Sequence, residues 1–205
     1  MIKQKIQFTT GCPNNCSYCH EPVELKFYDP KIESNDVQIL DMNFLANPKA
    51  VEILKSLPKG TYELICGVDY RRLTPEICEL LKQKGFIKLR WAWDYNYGLQ
   101  RVHQKIWRMF LKAGFQREEL SVFILANWKI PFNDCLKKLD LLKVWNVKVN
   151  DCCYDGGYPK NEIDFNNNKR FINKHFWSYS DIKKFRKTSR NHNKLVRFKI
   201  DPEFK

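Results

Sequence analysis

The sequence predicts an α/β protein, a partial (β/α)6 TIM-like barrel with a basic C-terminal extension. Six short apolar runs, at residues 2–8, 37–41, 62–66, 86–93, 120–127 and 147–152, recur along the first 160 residues. Segments with the 3.6-residue period of a helix lie between the later runs, and strand–helix alternation of this kind argues for a parallel sheet flanked by helices. The chain has 205 residues, short of the roughly 250 that an eight-fold barrel takes. A doubly wound sheet shares the alternation, but no Gly-rich dinucleotide fingerprint follows any of the runs.

The elements justify themselves in turn. Residues 48–57 place Val51, Ile53 and Leu54 at helical spacing. Residues 74–84 open with a Thr cap and a Pro in the first turn, carry Ile77, Leu80 and Leu81, and close on Gly85. Residues 99–113 carry Val102, Ile106, Met109 and Phe110 and close on Gly114, and residues 132–145 carry Leu136, Leu139, Leu142 and Val144. Beyond Tyr158 the alternation weakens. The Asn-rich stretch 161–174 reads as loop, Ser180 is placed to cap a short basic helix over 181–190, and 195–200 reads as a last strand or an extended strap. The expected division is therefore a barrel over 1–160 and an aromatic-rich basic extension over 161–205 packed on it.

Hydrophobic residues make up 43% of the chain, with six Trp, which excludes a disordered protein. No run of about 20 apolar residues offers a membrane span. The N-terminal residues lack the apolar core and cleavage site of a secretory signal, so a cytoplasmic protein is expected, with its eight Cys as thiols or metal ligands. The net charge is +13 and it is uneven: residues 165–205 hold 12 Lys/Arg against 3 Asp/Glu. Such a patch is either solvated surface or a face for phosphate.

Chemistry is carried most directly by Cys12, Cys16 and Cys19, in the run Phe8-Thr-Thr-Gly-Cys-Pro-Asn-Asn-Cys-Ser-Tyr-Cys-His20. The spacing is Cys-x3-Cys-x2-Cys. An odd number of thiols cannot pair off as disulfides, and three ligands leave a metal site with an open position. Gly11 and Pro13 suit a tight loop, and the backbone around Asn14, Asn15 and Ser17 can donate to sulfur. A zinc site and three free thiols are the competing readings; for zinc, Cys19-His20 is too tight to chelate at the usual finger spacing.

This run, with an aromatic residue before its third cysteine and a strand directly before it, resembles the cluster-binding motif of the radical S-adenosylmethionine (radical SAM) enzymes. The resemblance implies a partial barrel, a [4Fe–4S] cluster on Cys12, Cys16 and Cys19, and S-adenosylmethionine chelated to the iron that lacks a protein ligand. It implies reductive cleavage of that cofactor to a 5′-deoxyadenosyl radical, which abstracts hydrogen from a substrate. A flavodoxin- or ferredoxin-like protein would supply the electron. Tyr18 stands where the family's aromatic residue lies near the adenine.

Ligands of parallel barrels bind at the carboxyl ends of strands. After the second run, Asp41-Met-Asn-Phe44 replaces the Gly-Gly-Glu motif with which many members hold the methionine amino group; it resembles an acidic variant, with Asp41 and Asn43 as acceptors or, alternatively, as a helix cap. Arg71 and Arg72 follow the third run and suit a carboxylate or phosphate. Arg90, Ala92 and Asp94 share one face of the fourth run; Asp94 resembles the family's ribose-binding acid, with an Arg90–Asp94 pair as the structural alternative. Asn127, ending the fifth run, is expected near the adenine, with Trp128 and Lys129 toward substrate. Cys66, Cys152 and Cys153 end strands as well and read as cluster ligands, hydrogen donors, covalent nucleophiles or buried thiols. Cys78 and Cys135 read as core.

The substrate is not written in the motif. Cations interleaved with Phe171, Phe176, Trp177, Tyr179, Phe185 and Phe198 suggest a nucleotide or nucleic acid, phosphate meeting charge and bases meeting rings. The same rings can instead close the open side of the barrel. A protein- or peptide-acting member, such as a glycyl-radical activase, and a non-enzymatic iron–sulfur or zinc protein are the alternatives.

Overall fold

The computed structural model, which describes residues 3–94, 97–154, 160–167 and 176–198, folds the six apolar runs as strands and adds a short antiparallel pair. The first half contains β1 (Gln4–Ile6), β2 (Thr9–Thr10), β3 (Lys26–Phe27), β4 (Asp36–Ile39), β5 (Thr61–Leu64) and β6 (Leu89–Ala92), with the helices α1 (Ala50–Ser56), α2 (Pro75–Lys84) and α3 (Gln100–Lys112). The second half contains β7 (Leu120–Ala126), α4 (Phe132–Val144), β8 (Lys148–Cys153), α5 (Glu162–Asn167) and α6 (Tyr179–Phe198). The architecture is mixed α/β with parallel sheets, and among the described residues no sheet closes into a barrel. No described helix is long and apolar enough to cross a membrane.

The chain forms two compact units, one of residues 1–92 and 102–120, the other of residues 93–101 and 121–205. The extension expected over 161–205 falls inside the second.

In the first unit β1, β4 and β5 pair in parallel, with Ile6 opposite Ile39 and Ile39 opposite Leu64. Parallel bridges from Tyr62 to Phe86 and from Val68 to Trp91 carry the layer on to β6. Val37, Ile39 and Leu64 are at most 1% exposed, and burying each such side chain contributes about 1.5–3 kcal/mol. Helix α2 behaves as read: the Thr74 hydroxyl accepts from Ile77 N–H, Pro75 opens the first turn, and Gly85 ends the helix at φ 88°. A Cβ at Gly85 would lie 2.0 Å from the Gly60 carbonyl oxygen, so only glycine fits.

The buried stripe of α3 is His103, Ile106 and Phe110 rather than Val102, Ile106, Met109 and Phe110. Val102 is 41% exposed. The helix is rotated so that the buried His103 ring accepts from the Trp91 indole N–H at 3.2 Å.

In the second unit β7 and β8 pair in parallel, with Val122 opposite Val149 and Leu125 opposite Cys152. Helix α4 buries Cys135, Lys138, Leu139 and Leu142, leaving Val144 76% exposed. Three expectations for the end of the chain are corrected. Residues 161–174 were expected as loop, but Glu162–Asn167 are helical. Helix α6 extends to Phe198, so residues 195–198 are helix and not strand. Its cap is Ser178 rather than Ser180: the Ser178 hydroxyl accepts from Asp181 N–H at 3.1 Å while the Asp181 carboxylate accepts from Ser178 N–H at 3.2 Å. The buried face of α6 (Ile182, Phe185, Ser189, His192, Val196) repeats every three or four residues. His192 Nε2 bonds the Val147 carbonyl at 2.8 Å, and the Asn193 amide takes Val149 N–H and donates to Val149 C=O at 2.8 and 2.7 Å.

Candidate metal centre

The cysteine loop is held at its base by backbone pairing. Chain leaving β1 passes Phe8 into β2, which pairs antiparallel with β3 (Thr9 opposite Phe27, Thr10 opposite Lys26). Cys12 N–H donates to the Pro22 carbonyl at 2.8 Å, and Gly11 N–H to the Glu21 carboxylate at 3.0 Å. Gly11 sits at φ 83°, and a Cβ there would lie 1.9 Å from the Glu24 carbonyl oxygen. The tight turn inferred from Gly11 is therefore real, and the strands that close it were not foreseen. Inside the loop Asn15 takes φ 45° and Cys19 N–H donates to the Cys16 carbonyl at 2.8 Å. Cys12 and Cys16 are half-buried and Cys19 is exposed, and none of the three is in a disulfide.

Two neighbouring strand ends reach this loop. After β4, the Asn43 amide donates to Cys12 Sγ at 3.4 Å and to the Asp69 carboxylate at 3.0 Å. Asp69, after β5, also accepts from the Asn14 amide of the cysteine loop at 2.8 Å and from Arg71 at 2.7 Å, with Arg72 at 3.6 Å. Glu21 N–H donates to Cys19 Sγ at 3.4 Å. Burial opposes ionisation of Asp69, but the hydrogen bonds from Arg71, Asn14 and Asn43 outweigh it and hold the carboxyl below its ordinary value. Burial likewise opposes the Arg71 charge, and Asp69, aided by Cys16, outweighs it. Arg71 and Arg72, read as ligands for an external anion, thus pair with Asp69. Asp69 itself was not singled out; the pair of arginines beside it at a strand end was the available signal.

Asp41 is fully buried and its Oδ1 accepts from Phe8 N–H at 2.9 Å, tying the end of β4 to the end of β1. Its Oδ2 has no hydrogen-bond partner, and neither has Oδ1 of Asn43, itself 3% exposed. Burial pushes Asp41 up to about 6, against the lowering effect of Phe8 N–H and of the Thr9 hydroxyl and N–H beside it.

Among the described residues no three or more His, Cys, Asp or Glu side chains gather as a single metal ion requires. A cubane cluster asks for something else: one thiolate at each of several separate irons, so that the ligands surround a volume. For such a group the cysteine loop supplies three soft thiols, with the Asn43 amide donating to Cys12 Sγ and Glu21 N–H to Cys19 Sγ.

The chain matches no known family model and no curated protein sequence.

The remaining sequence-named residues divide between the units. Tyr18 is half-buried and His20 exposed within the cysteine loop. Cys66 lies 3.3 Å from the Met42 sulfur, and burial, with Glu21 and Asp41, pushes its thiol up. Arg90 pairs with Glu63. Asp94 is half-buried, and its charge adds to burial in raising Cys135 and Cys152, each to about 11. Cys153 is pushed up to about 12, again chiefly by burial. Cys78 and Cys135 are fully buried core, as read. Asn127, at φ 58° and 2% exposed, uses its carbonyl oxygen to accept from Phe176 and Trp177 N–H at 3.0 and 3.1 Å. Trp128 meets Tyr154 in a tilted contact and Phe176 edge-to-face, at centroid distances of 4.4 and 5.4 Å, with Lys129 over its ring. Trp177 and Phe185, read as base-stacking rings, are 6% and 0% exposed and belong to the core. Phe171 and the Phe198 side chain lie outside the described residues.

Proposed function

We propose that this chain is a radical SAM enzyme whose barrel is partial, of the (β/α)6 kind, and whose cluster is held by Cys12, Cys16 and Cys19. The observation that carries the reading is the convergence on one loop: three cysteines outside any disulfide, with Asn43 and Asp69 brought to the loop from the carboxyl ends of two adjacent parallel strands. A [4Fe–4S] cluster held by these cysteines would supply the one-electron reduction of S-adenosylmethionine from which a 5′-deoxyadenosyl radical and hydrogen abstraction from a substrate would follow.

The chain's own residues have distinct tasks. The three thiolates hold three irons. The Asn43 amide and Glu21 N–H donate to sulfur, which stabilises its negative charge. Asp41 and Asn43 Oδ1 are the acceptors we assign to the ammonium of the methionine moiety, Asn43 Oδ1 being buried without a hydrogen-bond partner. Asp94 and Asn127 remain candidates for ribose and adenine, and Tyr18 for adenine. The electron comes from a flavodoxin- or ferredoxin-like donor, and reduced thiols suit a cytoplasmic setting.

The test is anaerobic reconstitution with iron and sulfide, followed by dithionite and S-adenosylmethionine. About four irons per chain and formation of 5′-deoxyadenosine are expected, both lost in the triple Cys12→Ser, Cys16→Ser, Cys19→Ser variant. Four irons with no deoxyadenosine would leave an electron carrier; zinc in place of iron would leave a scaffold.

A further inference from the structure

One face of α6 is a continuous run of cations. Lys183, Lys187, Arg190 and Lys194 are exposed and Arg186 is half-buried beside them. They recur every three or four residues and so form one stripe, on the side of the helix away from Ile182, Phe185, Ser189, His192 and Val196. Together with two asparagines these five cations line one open groove. From Lys183 to Lys194 the stripe runs about 16 Å along the axis. Among the described residues no carboxylate pairs with Lys187, Arg190 or Lys194.

We infer that this stripe binds the phosphate backbone of nucleic acid, without reading sequence. A duplex carries one charge per about 1.7 Å of axis, so about 16 Å of it presents more than enough phosphates for five cations. The alternative occupants fit less well. A helix lying on a membrane must lay its apolar face in lipid, and the apolar face of α6 is consumed by the core of its own unit. Base recognition asks for rings in the groove, but Trp177 and Phe185 are buried, Tyr179 lies under Lys183, 5.8 Å from its ammonium, and Phe176, 40% exposed, is not part of the groove lining. What lines the groove is chiefly charge, which positions a backbone and does not specify bases. The inference stands apart from the chemistry of the cysteine loop.

The test is fluorescence anisotropy of a fluorescein-labelled 20-base-pair DNA duplex with the full chain at salt concentrations from about 50 to 200 mM. Five contacts predict that log K falls against log salt with a slope of about −4 to −5. Each single change, Lys183→Gln, Lys187→Gln or Lys194→Gln, makes the slope shallower by about 1. Combining these three with Arg190→Gln weakens binding at least about 100-fold, with circular dichroism unchanged because glutamine favours helix as lysine does. The triple Cys→Ser variant of the loop binds the duplex as the parent does. Unchanged affinity in the single and combined variants overturns the inference. So does an equal loss when Lys31, Lys55, Lys59 and Lys112 are changed to Gln instead, and so does retention by phosphatidylserine vesicles without binding to the duplex.

Discussion

Asn43 and Asp69 come from loops after adjacent parallel strands and meet through a 3.0 Å hydrogen bond beside Cys12. A side-chain amide has two hydrogens, and Asn43 directs its nitrogen at both the Asp69 carboxylate and the Cys12 sulfur. Asp69 then reaches back into the cysteine loop through Asn14. The loop is thereby held from outside by side chains other than its cysteines, which, on the function proposed, would lower the ordering cost of assembling a cluster on it.

Asp69→Ala removes the common acceptor of Asn14, Asn43 and Arg71. It should cost about 1–3 kcal/mol in urea denaturation and reduce iron bound on reconstitution, although no ligand is changed. Because the folded carboxyl is held below its ordinary value, its stabilising effect is complete above about pH 4 and is lost as pH falls through the folded value. A variant with parental iron content would show that the loop orders itself without Asp69.

Asp41 has the opposite sign. Its folded value is raised to about 6 from 3.8, so its contribution is full below the unfolded value and lost as pH rises through 6. The loss by pH 7 is at most about 3 kcal/mol. Asp41→Asn keeps an acceptor for Phe8 N–H and no longer ionises. The stability difference between variant and parent, followed by urea denaturation from pH 4 to 7, should grow in favour of the variant; a flat difference would place the ionisation elsewhere.

Gly11→Ala forces a side chain into the Glu24 carbonyl at a positive φ. A strained backbone position of this kind costs about 1–3 kcal/mol, and the displaced chain carries Cys12 with it. Lower thermal stability together with incomplete iron loading is expected; stability alone changing would separate the turn from the ligands.

Lys138 is fully buried on α4, its ammonium 2.8 Å from the Trp93 carbonyl and 5.6 Å from the Trp93 ring. Burial pulls its pKa below the ordinary lysine value, against Cys135, Asp94 and Asp134. Lys138→Ala removes both stem packing and donor and should cost about 2–4 kcal/mol. Lys138→Met keeps the stem and loses the donor, a cost of about 1 kcal/mol. The order of the two urea midpoints is the check.

Local signals were readable in the chain. Thr74, Pro75 and Gly85 act within one helix, and their roles follow from backbone geometry that any reader of residues can anticipate. The six strands show in short apolar runs because parallel strands bury both faces. What escaped was set by partners far along the chain. The rotation of α3 follows from Trp91 seeking His103. Lys138 reads as surface by its charge and is buried by its stem. Asp69 carries no motif, and its place beside the cysteines depends on Asn14, 55 residues away.

The Asn193 amide, bonded to both N–H and C=O of Val149, copies with a side chain what a further strand would do with its backbone. Among the described strands β8 has β7 alone as its neighbour in the second unit, so its other edge is the natural template for an intruding chain. Asn193 closes that template near its start, at the second residue of β8. A helix with a charged outer face therefore also acts as a guard against edge-to-edge aggregation, and a single amide does the guarding.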